Sequence, residues 1–295
     1  MYALTVSIRM KGIDKLRNKL PDYQGKKIRV FVVIVFVVFV SSLMFQSVLD
    51  SLPRIFRNID ILQVIAPLTP IIGPLIVISI GFSVVRKFWR VRDEYLSKYG
   101  IKAYQKAFKF VAIGIPMLFS VIVHSFIPND LITTYRIDDT LSSYLGVPIS
   151  GLILGFPFYI LYIRLILSIL SVGLGLTVIF KALNFFGIDN MALVYVFYPE
   201  ESTLQNHEIY SILRHPTYHG LVLISIGGIF FRFSIYSIVY FLIFLVGINI
   251  HLKYVEEKEL IVRFGEEYKK YRETVPAFFV KLKDLKKYFS TLFKN

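Results

Sequence analysis

Two short polar segments of this 295-residue chain carry the residue types that could perform chemistry. The first is R-H-P-T-Y-H-G at Arg214–Gly220, and the second is the adjacent pair Glu256 and Glu257. A mostly apolar stretch separates them, and the sequence F-R-F-S stands near its middle, at 231–234. Such a stretch is long enough for a membrane hairpin that returns the chain to the face it left. We therefore expect the arginine and histidine to lie beside the two carboxylates at one membrane–water boundary.

Helix geometry limits what the two carboxylates can do. Adjacent helical residues point about 100° apart, so Glu256 and Glu257 are not expected to hold one metal ion, and we predict no metal site. One carboxylate can face a pocket while the other pairs with Arg214 or meets solvent. In the alternative interpretation, the pair only marks the wet end of the last helix. The chain has no cysteine, which excludes a thiolate metal site and a cysteine nucleophile.

Apolar helices must position these polar segments. Hydrophobic residues make up 55% of the chain, charged residues only 18%, and the mean hydropathy is +0.62. A soluble domain has about 25% charged residues, and a chain this apolar is not disordered. About 20 apolar residues cross a bilayer, and the runs of sufficient length are 29–49, 61–85, 107–127, 147–186 and 219–252. We predict an all-α polytopic membrane bundle with about six transmembrane helices, in a range of six to eight, that ends in a helical hairpin.

Two of these runs leave alternatives open. The run 61–85 contains Pro67, Pro70 and Pro74 and is interpreted as a kinked span, with a re-entrant segment as the alternative. The run 147–186 is expected to cross once and to continue as a helix along the interface. Two crossings of that run would require another segment, such as 61–85, not to span.

Charge orients the predicted spans, because loops that face the cytoplasm collect lysine and arginine. The formal charge of the chain is +14, and basic residues concentrate in 1–29, 86–109 and 253–295. The segment 128–146 instead has one arginine against three aspartates. We therefore expect a multi-pass protein of the cell membrane with both termini in the cytoplasm and 128–146 outside. Because topology explains the charge, we expect no nucleic-acid partner.

The C-terminal tail is expected to form an amphipathic helix at the cytoplasmic interface. Leu282, Leu285, Phe289 and Leu292 recur at helical spacing, and lysines occupy the other face. This pattern is typical of a helix that lies on an anionic leaflet. The alternative is a solvated basic tail.

The two polar segments resemble the motifs of integral-membrane methyltransferases, a superfamily that includes isoprenylcysteine carboxyl methyltransferases and phospholipid N-methyltransferases. The shared pattern is R-H-P-x-Y-x-G, a hairpin, and then E-E-x-x-L-x-x-x-F-G-x-x-Y-x-x-Y-x-x-x-V-P. The resemblance covers 200–276, and it divides the chain into an N-terminal transmembrane extension (1–104) and a methyltransferase-like core (105–295). Tyr210 fits the tyrosine that precedes R-H-P in the superfamily, where the preceding Gly-Pro is replaced here by Glu208-Ile209.

The resemblance implies S-adenosylmethionine as the methyl donor, with S-adenosylhomocysteine as the product and a lipid or lipid-linked molecule as the acceptor. It implies catalytic roles for Arg214 and Glu257. The cofactor-binding residues that it implies are Tyr210, His215, Pro216, Tyr218, Glu256 and Glu257.

Two other functions remain as alternatives. Membrane sterol and steroid reductases use NADPH and have a similar C-terminal half, in which the motif resembles R-H-P-N-Y-x-G-[DE]. This chain has Thr217 and Leu221 at the distinguishing positions and keeps both glutamates, which favours methyl transfer. The other alternative is a non-enzymatic membrane scaffold that has kept the fold.

Overall fold

The computed structural model describes residues 10–127, 141–146, 148–149 and 159–294. Within these residues all regular structure is helical and no β-strand occurs, which confirms the predicted all-α class. The α-helices are α1 (Ile13–Lys19), α2 (Lys26–Ile55), α3 (Asp60–Ile65), α4 (Thr69–Arg90), α5 (Arg92–Tyr99), α6 (Ala103–His124), α7 (Leu141–Gly146), α8 (Tyr159–Phe186), α9 (Ile188–Met191), α10 (Val194–Phe197), α11 (Pro216–Arg232), α12 (Ile235–His251), α13 (Glu257–Thr274) and α14 (Leu285–Phe293).

In the described part of the chain, five helical stretches are long and apolar enough to cross a membrane. They are Lys26–Ile55, Thr69–Arg90, Arg92–His124, Tyr159–Phe186 and Ile235–Thr274. The helix α11 has 17 residues, which is the lower limit of the range of about 17–25 that spans a bilayer. The chain is thus a multi-pass membrane protein, and the number six stays a prediction.

The hairpin prediction is confirmed, because α11 ends at Arg232 and α12 begins at Ile235. Ser234 caps α12: its hydroxyl accepts from the Ser237 N–H, and the Ser237 hydroxyl accepts from the Ser234 N–H. The turn therefore falls within the F-R-F-S sequence.

The predicted span 61–85 is wrong in its boundaries. Residues Asp60–Ile65 form the separate short helix α3, and the membrane helix α4 is Thr69–Arg90. Pro67 has no N–H with which to continue the hydrogen bonds of α3, although Ala66 before it keeps helical φ and ψ angles. Pro70 lies in the first turn of α4, where a proline is tolerated. The prolines therefore end one helix and begin the next.

From Tyr159 onward, the run 147–186 is one continuous helix, α8. Residues 147 and 150–158 lie outside the described residues, as does most of the predicted external loop 128–146. The single crossing of 147–186 and the external position of 128–146 therefore stay predictions.

The helices α8 and α11 make the closest packing around the site. A Cβ on Gly175 would lie 2.6 Å from the carbonyl oxygen of Gly220, and a Cβ on Gly220 would lie 2.7 Å from that of Gly175. Farther along the pair, the Ser168 hydroxyl donates to the carbonyl of Gly227 at 2.8 Å. Small residues allow such an approach in membrane bundles. Gly220, which follows the R-H-P motif, is thus required by packing.

The segments predicted to be cytoplasmic meet at one end of the bundle, which we call the site end. The Lys11 ammonium donates to the carbonyl of Phe185 at 2.6 Å, and the Lys181 ammonium donates to that of Lys294 at 2.5 Å. The Tyr104 hydroxyl, at the start of α6, donates to the carbonyl of Ala192 at 2.8 Å. Both described termini therefore lie at the site end, in agreement with the parity of the predicted topology.

The tail forms the predicted short helix, α14, but one of its residues is placed differently. Leu292 was expected on the membrane face, whereas it is buried with Tyr288 against the core around Tyr210. Leu282 and Phe289 are exposed. The helix therefore docks on the protein through one face and keeps a second apolar face free.

Candidate functional site

Arg214 is held in place by residues of α13 and by Val275, which follows it. Its Nη2 and Nε donate to Oε1 of Glu257 at 2.5 and 3.2 Å. Its Nη1 donates to the carbonyl of Arg272 at 2.8 Å and to that of Val275. An arginine has five N–H donors, and four of them are used here. The guanidinium is therefore fixed by the protein.

Backbone hydrogen bonds join the R-H-P segment to the V-P segment. The Arg214 N–H donates to the carbonyl of Pro276 at 2.9 Å, and the His215 N–H donates to that of Ala277 at 2.8 Å. Pro216 then begins α11 in the first turn, where its missing N–H costs nothing. The V-P segment thus fixes the backbone of Arg214 and His215, which directly precede α11.

Glu256 faces inward and is surrounded by hydrogen-bond donors. It accepts from the Tyr218 hydroxyl, and its Oε1 lies 3.2 Å from Nε2 of His251. His215 lies between the two carboxylates, with Nδ1 3.7 Å from Oε2 of Glu256 and Nε2 3.5 Å from Oε1 of Glu257. That Nε2 is buried and makes no hydrogen bond.

A wider helical turn places the two glutamates. Residues Leu252–Glu256 form a single π-helical turn between α12 and α13, and such turns are frequent at functional sites. After this turn Glu256 lines the cavity, whereas Glu257 does not and instead holds Arg214. As expected, one carboxylate faces a cavity and the other pairs with Arg214.

One cavity of about 360 Å³ joins the polar residues to the interior of the bundle; a ligand site typically has about 300–1,000 Å³. Its polar end includes Glu256, His251 and Arg214. The remaining lining includes apolar side chains of four membrane helices. These apolar residues are Phe82, Val85 and Trp89 of α4, Ile115, Leu118, Phe119 and Ile122 of α6, Ile179 of α8, and Phe244 and Ile248 of α12.

The segment 187–205, which we call the roof, covers the cavity at the site end. Asn190, Leu193, Tyr195 and the residues 202–205 of the roof line the cavity. The guanidinium of Arg263 holds this segment from the opposite side: it donates to the Ser202 hydroxyl at 2.9 Å, and it lies 4.2 Å from the ring centroid of Tyr195. Arg263 is itself paired with Glu259.

The helix α13 bends at the F-G pair of the motif. Gly265 has φ 55° and ψ −130° within an otherwise helical stretch, a conformation that glycine adopts at little cost. Phe264 before the bend and Tyr268 after it both line the cavity. The glycine thus allows both aromatic rings to reach it.

Tyr210 lies beneath the roof and is buried. Burial, and to a lesser extent Tyr271, raises the pKa of its phenol, so the hydroxyl stays neutral. Its carbonyl accepts from the Tyr271 hydroxyl at 2.5 Å. Two residues earlier, Glu208 has φ 47°, where the superfamily has glycine. A non-glycine residue there is strained.

The structure brings the predicted site residues together. Six of them line the cavity: Tyr210, Arg214, His215, Pro216, Tyr218 and Glu256. The seventh, Glu257, lies behind Arg214. Sequence reasoning missed His251, Trp89, Arg263 and the roof. His251 alone had a usable signal, because it stands at the wet end of the last apolar run, five residues before Glu256.

The fold and the site define a class of protein, namely a polytopic membrane protein with a cavity between its helices that charged residues line at one end. Residues 163–267 match the family model described as phospholipid methyltransferase. This segment is thus a domain of that integral-membrane methyltransferase family, which is related to the isoprenylcysteine carboxyl methyltransferases, and the predicted resemblance is confirmed. No curated protein and no solved structure matches the chain. The family match supports a membrane methyltransferase.

Proposed function

We propose that the protein transfers a methyl group from S-adenosylmethionine to a lipid acceptor at the cytoplasmic face of the cell membrane. The observation that carries this proposal is the continuity of one cavity from Glu256 to the apolar side chains of α6. A soluble donor and a membrane-borne acceptor need such a cavity, because each approaches from a different medium. The family match favours methyl transfer over the reductase alternative.

The residues at the polar end fit the cofactor. Glu256 has a carboxylate that can accept from the ammonium or the ribose hydroxyls of the cofactor, and His215 lines the cavity beside it. Tyr210 and Tyr218 line the cavity and can offer aromatic faces to a cation. When bound, S-adenosylmethionine supplies an activated methyl group, which a lone pair of the acceptor takes up while the carbon–sulfur bond breaks and S-adenosylhomocysteine is left.

We propose that Glu257 is a positioning residue and that Arg214 combines positioning with one ligand contact. The carboxylate of Glu257 is used by Arg214 and does not line the cavity. Arg214 lines the cavity, although most of its N–H groups are used by the protein. Methyl transfer demands alignment and exclusion of water more than acid–base catalysis. Rigid anchoring of the R-H-P segment serves that alignment.

The acceptor is proposed to reach the cavity from the side. Ile115 and Phe119 of α6 line the cavity, yet 47% and 41% of their surfaces are exposed on the outside of the bundle. Ile179 of α8 also lines the cavity. An apolar chain that entered beside Ile115 and Phe119 would lead its polar end towards Glu256. The acceptor is therefore a lipid that keeps its tail among the membrane helices.

Charge favours an amine over a carboxylate as the methyl-accepting group. Among the described residues that line the cavity, Glu256 is the single carboxylate. The two arginines in the lining, Arg214 and Arg263, are paired with Glu257 and Glu259. Each of these guanidiniums already has a carboxylate partner, whereas in the described part of the chain Glu256 is paired with histidines and with no arginine or lysine, so it can attract an amine. An aminophospholipid fits these conditions.

Transfer of a labelled methyl group tests the proposal. The purified protein is placed in nanodiscs of mixed phospholipids and incubated with S-adenosylmethionine labelled in its methyl group. Label is expected in the aminophospholipid fraction, and Glu256→Gln is expected to abolish its appearance. Label in a prenylcysteine ester would overturn the amine acceptor. Absence of label from every lipid, together with oxidation of NADPH, would overturn methyl transfer.

A further inference from the structure

We infer that Lys15, Lys19 and Glu201 form an ionic latch through which the N-terminal segment fixes the roof and so sets the affinity for the cofactor. The inference rests on the proposed function, since it takes the cavity to be the cofactor site. Lys15 and Lys19 lie on α1, outside the region that matches the methyltransferase family. The latch therefore adds positioning residues that the motifs do not contain.

Glu201 is the centre of the latch. Its Oε1 lies 2.6 Å from the Lys19 ammonium, and its Oε2 lies 3.1 Å from the Lys15 ammonium. Lys15 also donates to the carbonyl of Glu201 at 3.3 Å. The Lys19 ammonium lies 3.3 Å from the ring centroid of Tyr198, in the geometry of a cation–π contact. Two lysines on adjacent turns of α1 thus converge on one carboxylate.

The start of the roof is tied to the same N-terminal segment. The Ile188 N–H donates to the carbonyl of Lys11 at 2.8 Å, and Lys15 lies 3.5 Å from the carboxylate of Asp189. Gly12 packs so closely on Asp189 that an added Cβ would lie 1.8 Å from its Oδ1. The N-terminal segment therefore holds the roof at 188–189 and at 201.

Several residues of the roof, which the N-terminal segment holds, also line the cavity. Asn190 and Tyr195 line the cavity between the two attachment points, and 202–205 line it directly after Glu201. Arg263 holds Ser202 from the far side. A displacement of Glu201 would therefore move residues that enclose the ligand, whereas Glu256 and Arg214 would keep their own anchors.

The latch is exposed enough to depend on salt and pH. The side chains of Lys15, Lys19 and Glu201 are 32%, 21% and 33% exposed, and ion pairs of this kind are weakened by salt. Burial raises the pKa of Glu201, but hydrogen bonds from Lys19 and Lys15 outweigh it and hold that pKa below its usual range. A carboxyl group whose pKa is lower in the folded state than in the unfolded state stabilises the fold at pH values above the unfolded-state pKa. The contribution of the latch is therefore lost as the pH falls through the lowered pKa.

Calorimetric titration with S-adenosylhomocysteine measures the effect on affinity. Glu201→Gln is expected to raise the Kd about three- to ten-fold at low salt, the range that two partly exposed ion pairs supply. Glu200→Gln, which removes the same charge from the exposed neighbour, is the matched control and is expected to change the Kd by less than about two-fold. Equal effects of the two substitutions would overturn the latch.

A double-mutant cycle and high salt separate the latch from a general charge effect. In a background of Lys15→Met and Lys19→Met, Glu201→Gln is expected to add nothing further, because its partners are gone. The difference between wild type and Glu201→Gln is also expected to vanish at high salt. A full effect of Glu201→Gln in the lysine-free background would contradict the inference.

Hydrogen–deuterium exchange of the ligand-free protein supplies a readout that needs no cofactor. Peptides from 187–205 are expected to exchange faster in Glu201→Gln than in wild type or Glu200→Gln, because the roof opens more often. Unchanged exchange would overturn the latch. If wild type binds no S-adenosylhomocysteine, the proposed function fails, while exchange still decides whether the latch exists.

Discussion

The matched region 163–267 and the N-terminal helices α4 and α6 line one cavity with different kinds of residues. The matched region supplies the charged residues, and each has a defined partner: Arg214 holds Glu257, and Tyr218 holds Glu256. The N-terminal helices supply apolar side chains such as Phe82 and Phe119. Polar partners require fixed distances, whereas apolar walls require only shape and volume.

We therefore expect different residues to determine the chemical step and the preference for the acceptor. Residues that align a cofactor must keep their spacing, and so a motif records them. Residues that enclose a lipid tail can change as long as the volume is kept, and so no motif records them. We expect substitutions in the matched region to affect turnover most, and substitutions in the N-terminal helices to affect the acceptor.

Loss of Arg214 is expected to have the largest effect. Arg214→Ala removes four hydrogen bonds and leaves the carboxylate of Glu257 without its guanidinium, so methyl transfer should fall at least about 100-fold. Arg214→Lys should not restore it, because an ammonium cannot replace the fork. Methyl transfer is measured with labelled cofactor, and folding is checked by size-exclusion chromatography in detergent.

The matched control for this substitution is Arg272→Ala. Arg272 also approaches Glu257, at 3.8 Å, but its side chain is 44% exposed. Its loss is expected to change the rate by less than about three-fold, as for exposed ion pairs in general. Similar rates for Arg214→Ala and Arg272→Ala would contradict the proposal that the buried pair of Arg214 and Glu257 is specifically needed for methyl transfer.

Narrowing the side opening is expected to have a smaller and more selective effect. Ile115→Trp with Phe119→Trp adds bulk where the cavity meets the bilayer, which should raise the KM for the lipid about ten-fold. The Kd for S-adenosylhomocysteine should not change, because Glu256 and its partners are untouched. Ile169→Trp is the control, since Ile169 is 70% exposed on α8 and does not line the cavity. An equal rise in KM for the control would refute the side opening.

The sequence predicted the parts of this structure that depend on length, charge and fixed spacing. The hairpin turn at F-R-F-S, the all-α class and the meeting of Arg214 with Glu257 are confirmed. The 100° step of a helix predicted that Glu256 and Glu257 would point apart, and the structure adds the π-helical turn that ends at Glu256. The helical class and the hairpin turn depend on local geometry, whereas the meeting of Arg214 with Glu257 depends on the hairpin that brings both residues to one end of the bundle.

Other features could not be predicted because they depend on packing between distant segments. The start of α4 at Thr69 depends on which of several prolines a helix tolerates, and Leu292 is buried because α14 docks beside Tyr210. The pairing of Lys19 with Glu201 joins residues 182 positions apart. No periodicity or motif records such contacts.

Binding of S-adenosylhomocysteine to the purified wild-type protein tests most directly whether the cavity holds a methyl donor. Saturable binding at one molecule per chain is expected by isothermal titration calorimetry, together with its loss in Glu256→Gln. No binding of NADPH is expected under the same conditions. Binding of NADPH without binding of S-adenosylhomocysteine would contradict the assignment of the cavity to methyl transfer.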